Sequence, residues 1–334
     1  MTKELKIGII GLGFIGDVHV KVLAENPCAN LIAVCDINEG LAQKYAQVYG
    51  CKCYTDYDEM LRDADIEAVD ICVPEDYHVA PAVAAANAKK HILLEKPIAK
   101  TVVEALEIKN ACEKNGVRLM INHILKFDPR YVSLFDEVKK GTMGEISQIF
   151  VKRQNPRLVA ERMRGRVSFL YYLGVHDIEW MLSYMMDKKP IKVYAQRNNV
   201  INRTVNDFDT IFILVNFECG ALGCVNISWN LPKNDAVGIF STVELIGSKG
   251  MGMVDIRNQG CEIVTDSSTF FPDALHWPTY NDNVQGDMRM AIDSFIQCTL
   301  AGKPYYVDTD NAILAVKVIE AAFKSIDTGI PVEL

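Results

Sequence analysis

The feature that most constrains this chain is Gly11-Leu12-Gly13-Phe14-Ile15-Gly16, which follows the apolar run Leu5 to Ile10 and leads into a stretch of helical spacing. Gly11 permits a tight turn, Gly13 lets backbone approach an anion, and Gly16 lets helix and strand pack closely. The helix that begins there offers unpaired N–H groups and the positive end of its dipole, which together favour a phosphate. A second apolar run, Leu31 to Cys35, ends at Asp36, twenty residues after Gly16. At that spacing a carboxylate accepts hydrogen bonds from the adenosine ribose of a dinucleotide. The same charge repels a 2′-phosphate, and Ile37-Asn38 supplies no arginine to hold one, so NAD is favoured over NADP.

Strand and helix signals alternate through the first third. Helical stretches near Glu39 to Tyr49, Tyr77 to Ala88 and Val102 to Asn115 separate the runs Ala68 to Val73, His91 to Leu94 and Val117 to Met120. Such alternation predicts an α/β Rossmann domain, a doubly wound parallel sheet whose ligands bind beyond the strand carboxyl ends. Pro74 and Glu95-Lys96-Pro97 fall at such ends. From about residue 146 strands follow one another with few helices: Ile146 to Lys152, Lys192 to Arg197, Thr210 to Phe217, Leu222 to Trp229, Thr242 to Ile246 and Glu262 to Thr265. An apolar helix near Phe169 to Met186 interrupts them, and helices near Gln285 to Leu300 and Thr309 to Ser325 close the chain. This predicts an α+β domain with a largely antiparallel open sheet. The expected division is a dinucleotide-binding domain over 1–121 and a substrate-binding and oligomerisation domain over 122–334.

At 334 residues the chain exceeds one ordinary core, which agrees with two domains. A net charge of −8 argues against a nucleic-acid surface, since phosphate backbones require a basic footprint. No apolar stretch is long enough to span a membrane, and no leader pattern precedes the first strand. The ten cysteines are scattered, and Cys51-Lys52-Cys53 has no second pair at zinc spacing. Reduced thiols, a cytoplasmic location and no metal site are expected.

Several further segments, taken in order with the glycine turn, resemble the Gfo/Idh/MocA oxidoreductases: Val73-Pro74 with His78, Glu95-Lys96-Pro97, Gly141-Thr142-Met143-Gly144-Glu145-Ile146, Gly174-Val175-His176-Asp177-Ile178-Glu179 and Ser325-Ile326-Asp327-Thr328-Gly329. The resemblance runs nearly the whole chain. It implies an NAD(P)-dependent enzyme acting on a sugar, sugar derivative or sugar nucleotide, assembled as a homodimer or homotetramer through its open sheet. Oxidising a secondary alcohol needs a base for the hydroxyl proton and positive charge near the developing alkoxide. The resemblance assigns the first task to His176 and the second to Lys96; histidine titrates near neutral pH and lysine carries the charge. It also implies cofactor contacts from Gly11, Gly13, Phe14, Ile15, Gly16, Asp36, Pro74, His78, Glu95 and Lys96. Substrate contacts are expected from Tyr172, His123 and Arg157, although His123 reads equally as a strand-capping residue.

One position departs from the family pattern. Tyr172 stands four residues before His176, where many members carry an aspartate. A phenol donates a hydrogen bond to a hydroxyl, but at neutral pH it does not stabilise imidazolium as a carboxylate does, and this loosens the inference to inositol-like substrates. A second clue is the segment from Lys152 to Arg166, where Lys152, Arg153, Arg157, Arg162, Arg164 and Arg166 face a single acid, Glu161. It reads either as a solvated or subunit-bridging segment or as a clamp for an anionic substrate. Two other functions share the resemblance: a glycosidase or lyase that recycles NAD through transient oxidation at C3, and a non-catalytic NAD-binding regulator.

Overall fold

The computed structural model describes residues 3–163, 166, 168–201, 208–235, 238–257 and 260–334. Two compact units emerge, and neither is continuous in sequence: Met1–Asp128 with Ala274–Ile313, and Pro129–Asp273 with Leu314–Leu334. Arg164 lies outside the described residues.

The first unit is built on six parallel strands: β1 (Leu5–Ile10), β2 (Ala29–Cys35), β3 (Lys52–Tyr54), β4 (Ala68–Ile71), β5 (His91–Glu95) and β6 (Leu119–Asn122). Helices α1 (Phe14–Glu25), α2 (Glu39–Tyr49), α3 (Tyr57–Leu61), α4 (Val79–Asn87) and α5 (Val102–Asn115) connect them. The order in the sheet is β3-β2-β1-β4-β5-β6, so the winding reverses between β1 and β4. Central strands of such a sheet are covered on both faces, which is why β4 is buried throughout and β1 nearly so. The helix ends follow from local chemistry. Asn38 accepts from the Leu41 amide to start α2, and Thr101 with Glu104 forms a reciprocal capping box on α5.

A later segment completes this unit. Helix Gly286–Ala301 turns Met288, Ala291, Ile292, Phe295 and Ile296 inward, an i, i+3, i+4 stripe. It lies against α1, β1, β6 and the short helix Ile124–Phe127. Arg289 pairs with Glu25, and Asn26 donates to Asp293 over 2.6 Å. The sequence reading places 274–313 with everything after residue 122. Periodicity identifies an apolar stripe but not the surface that receives it, and here the receiver is the dinucleotide-binding sheet.

In the second unit α6 (Pro129–Lys139) precedes β7 (Ile146–Pro156), α7 (Arg157–Met163), a π-helical turn over Leu170–Gly174 and α8 (Val175–Met185). Strands β8 (Pro190–Asn198), β9 (Thr210–Phe217), β10 (Leu222–Leu231), β11 (Phe240–Gly247) and β12 (Met251–Asp255) follow. With the two-residue strand Val332–Glu333 they form one sheet in the order β12-β11-β7-β10-β9-β8-(332–333). Only β7 and β10 pair in parallel, so the sheet is largely antiparallel, as expected. β9 shows the alternation of a strand with one covered face: Ile211, Ile213 and Val215 are buried, while Phe212 and Leu214 point outward. Helix α8 is buried from Asp177 to Met185, and its Trp180 stacks on Tyr131 and Tyr184 with centroids 5.5 and 5.0 Å apart.

Candidate active site

In the first unit the expected residues gather at the carboxyl edge of the parallel sheet, because each lies at or a few residues beyond the end of a strand. Gly11 follows β1, Asp36 follows β2, Pro74 lies three residues beyond β4, Lys96 follows β5 and His123 follows β6. The glycine turn is built for close approach. Gly11 has φ +93°, and a methyl group there would lie 2.8 Å from the Cys72 carbonyl carbon. A methyl group on Gly16 would lie 2.0 Å from the Gly11 carbonyl oxygen. Gly13 and Phe14 are exposed at the start of α1, and no side chain caps that helix. The open N–H groups, the exposed glycine and the acid beyond β2 fit a dinucleotide, with its pyrophosphate at the helix start and its ribose at Asp36. Asp36 also holds the turn: its Oδ2 accepts from Leu12 N and its Oδ1 from Asn38 N, each over 2.8 Å.

Lys96 alone keeps part of its surface exposed between Ile92 and Ala99. Its main-chain amide donates to Oε2 of Glu95 over 3.2 Å. Burial by itself would raise the Glu95 pKa, but His19, Lys96 and Asn122 outweigh it and hold the carboxyl below its ordinary value. His78, expected to contact the cofactor, sits between two loops at this edge. It is 1% exposed, and its Nδ1 lies 2.7 Å from the Pro97 carbonyl oxygen and its Nε2 3.0 Å from that of Val73. The ring therefore ties the loop after β5 to the loop after β4. His123 is buried. Sequence reasoning missed Trp277, whose ring meets Phe14 edge-on at 6.3 Å beside the glycine turn. It also missed His19 and Asn122, which flank Glu95; Asp70, an acid inside the apolar strand β4, was the available signal that a buried polar partner had to exist.

In the second unit the residues from Tyr171 to Trp180 are buried with two exceptions, Tyr172 and His176. These stand four residues apart, one helical turn, where the π-helical turn gives way to α8. π-Helical turns are found often at functional positions. Asp177 points away from this pair. Its carboxylate is buried against Arg153, with Nε to Oδ2 at 2.6 Å and Nη2 to Oδ1 at 3.2 Å, in a two-pronged contact. Arg153 is thereby removed from the basic segment as a candidate for anion binding: burial works against its charge, but Asp177 holds the guanidinium protonated. Arg157 begins α7 half-exposed, with its Nε 3.4 Å from the Leu231 carbonyl oxygen, and Arg162 and Arg166 are exposed.

A doubly wound sheet with a glycine turn at the end of its first strand and an acid at the end of its second is the arrangement of a dinucleotide-binding domain. Residues 5–123 match the model of the Gfo/Idh/MocA oxidoreductase family with an NAD-binding Rossmann fold, and residues 131–252 match the family's C-terminal domain. The chain belongs to this family. It is 33% identical to an inositol 2-dehydrogenase of Salmonella typhimurium, over 97% of this chain and 95% of that one. It is 26% identical to a myo-inositol 2-dehydrogenase of Thermotoga maritima, covering 99% and 98%. The fold matches that of a scyllo-inositol dehydrogenase from Lactobacillus casei, solved with bound NAD(H) and scyllo-inositol, with TM-score 0.84, 20% identity and 99% of each chain covered.

Proposed function

We propose that this protein is an NAD-dependent dehydrogenase that interconverts a secondary hydroxyl and a ketone on a cyclic polyol of the inositol class. The observation that carries the substrate class is the near full-length likeness to an inositol 2-dehydrogenase at 33% identity. When bound, NAD supplies the hydride acceptor. Gly11, Gly13, Phe14, Ile15 and Gly16 would hold its pyrophosphate end, Asp36 its ribose, and Pro74, Glu95 and Lys96 line the strand ends nearer the chemistry.

His176, half-exposed on an otherwise buried stretch, is suited to take the hydroxyl proton. The Lys96 ammonium, fixed at its backbone by Glu95, is suited to stabilise the oxygen as its negative charge grows. Tyr172, on the same helical face as His176, would bind a substrate hydroxyl through its phenol in place of a carboxylate. His123 and Arg157 are further substrate contacts in this reading. Arg157 and Arg162 would favour an anionic derivative if the physiological polyol carries one.

The outward face of the second sheet supports assembly with further copies of the chain as a homodimer or homotetramer, since Phe212 and Met253 are 50% and 64% exposed there, beside Leu214 and Met251. Ten free thiols agree with a cytoplasmic protein. Among the described residues no helix is long and apolar enough to cross a membrane.

The test is NADH formation by purified protein with NAD and a panel of inositols, sugars, sugar acids and sugar nucleotides. Turnover confined to one polyol class, lowered about 10²–10⁴-fold in His176→Ala and Lys96→Ala, is the expected result. Turnover that survives both substitutions, or none with any panel member despite NAD binding, overturns the reading.

A further inference from the structure

Beneath the carboxyl edge of the first sheet lies a cluster of polar groups that the catalytic reading does not use. His19, on α1, is fully buried. Its Nδ1 lies 2.7 Å from Oδ2 of Asp70, on β4, and its Nε2 lies 3.3 Å from Oε1 of Glu95, at the end of β5. Asn122, the last residue of β6, donates to the same Glu95 oxygen over 2.5 Å and lies 3.2 Å from His19 Nε2. Cys72, just beyond β4, points its sulfur at Asp70 and at His19 Nδ1, over 3.4 and 3.3 Å. Desolvation pushes this thiol up, so it stays protonated and adds no charge. Met288, from helix Gly286–Ala301, closes the remaining side, with its sulfur 3.4 Å from Asn122 Nδ2.

The charges decide the state of the ring. Two carboxylates, Asp70 and Glu95, sit in a region shielded from water, and burying a pair of like charges without a compensating cation is strongly unfavourable. The imidazole is the group placed between them. A neutral ring would donate to Asp70 through Nδ1 and accept from Asn122 at Nε2, leaving the Glu95 charge 3.3 Å away uncompensated, whereas a protonated ring donates to Asp70 and brings its positive charge to Glu95 as well. We propose that His19 is a positioning residue for Lys96: held as an imidazolium between Asp70 and Glu95, it fixes the Glu95 carboxylate whose other oxygen holds the Lys96 backbone. The sequence carries this device as a histidine three residues after Gly16, an acid in the centre of β4 and the Glu95-Lys96 pair. Without the ring, Glu95 would turn to the next available cation, the ammonium of Lys96.

The inference rests on the role given to Lys96 above, but its test requires no turnover. Histidine-labelled protein is followed by nitrogen NMR, with the His19 signals assigned by their loss in His19→Gln. Two protonated ring nitrogens at neutral pH are expected, above the ordinary titration of a histidine; a neutral tautomer at neutral pH overturns the assignment. Competitive acylation read by mass spectrometry then reports the reactivity of each lysine in wild type and His19→Gln. Lys96 is expected to label at least about threefold more slowly in the variant, about half a pKa unit of stronger proton retention, while other lysines are unchanged. An equal or faster rate overturns the positioning role. If His19→Gln does not fold, Asp70→Asn keeps the ring and removes one of its two anions; the ring must then lose its second proton at a lower pH than in wild type, and failure to do so overturns the clamp. Loss of polyol turnover in wild type would remove the catalytic reading and leave both measurements standing.

Discussion

The main-chain amide of Leu12 donates to Oδ2 of Asp36 over 2.8 Å, so the residue placed to read a ribose also holds the turn that receives the phosphates. The two tasks separate by substitution. Asp36→Asn keeps an oxygen for Leu12 and removes the charge, so NAD affinity is expected to fall modestly while the ratio of NADP to NAD affinity rises. Asp36→Ala removes the tether as well, and NAD affinity should fall by about 1.5–3 kcal/mol, the range for a lost charge-assisted hydrogen bond. Calorimetric titration with both cofactors distinguishes the variants.

Gly16→Ala places a methyl group 2.0 Å from the Gly11 carbonyl oxygen, a contact only backbone movement relieves. The expected result is loss of measurable NAD binding together with a lowered melting temperature. Gly13→Ala, where the added carbon meets nothing within 4 Å, should fold like wild type and lose only cofactor affinity. Melting curves with and without NAD test the contrast.

Arg153→Met leaves the Asp177 carboxylate buried without its partner, and such a change destabilises by about 3–5 kcal/mol. The double change Arg153→Met with Asp177→Leu should recover most of that loss, because it removes the stranded charge too. Denaturant unfolding of the three proteins measures this, and an undiminished loss in the double variant would show that packing, not charge, dominates. Because Asp177 adjoins His176, the single variant should also lose turnover.

The pH dependence of stability has a definite sign at His19. Burial works against the charged ring, but the Asp70 carboxylate outweighs it and holds the pKa well above the ordinary histidine value. The unfolded chain titrates at about 6.5, so the contribution is fully present below that pH and is lost as pH rises through the folded value. The difference in melting temperature between wild type and His19→Gln should therefore be largest near about pH 6 and shrink as pH rises into the alkaline range. A difference that grows with pH would contradict the protonated ring.

Much of the site is legible in the sequence because its pieces are local. Gly11 to Gly16, Asp36 and Lys96 each follow an apolar strand directly, and a parallel sheet brings all strand ends to one edge whatever the loops between them do. The helices over Glu39–Tyr49 and Val102–Asn115 lie where the spacing predicts them, since apolar period and capping residues agree. Residues that depend on distant partners are another matter. His19 meets Asp70 and Glu95 across three elements, and no spacing rule links them. Arg153 stands in a run of cations that reads as solvated or as an anion clamp, yet it is buried because Asp177 lies beneath it. Edge strand β3 and helix α7 escaped notice because each is short, and short elements carry little periodicity. His78 has the position of a ligand-facing residue at the edge of the sheet, but the carbonyls of Val73 and Pro97 engage its ring.

Helix Gly286–Ala301 has a consequence for how the chain is made. The cofactor-binding sheet has all six strands once residue 122 has emerged from the ribosome, but the apolar surface on β6, α1 and the short helix Ile124–Phe127 waits for Met288, Ile292 and Phe295. For the time taken to synthesise the intervening segment, the nascent unit carries an uncovered patch. A gene fragment ending at Asp128 would encode every nucleotide-contacting residue proposed above and still yield an unfinished body, so this half of the protein is not a portable module that evolution or an engineer can move by a single cut.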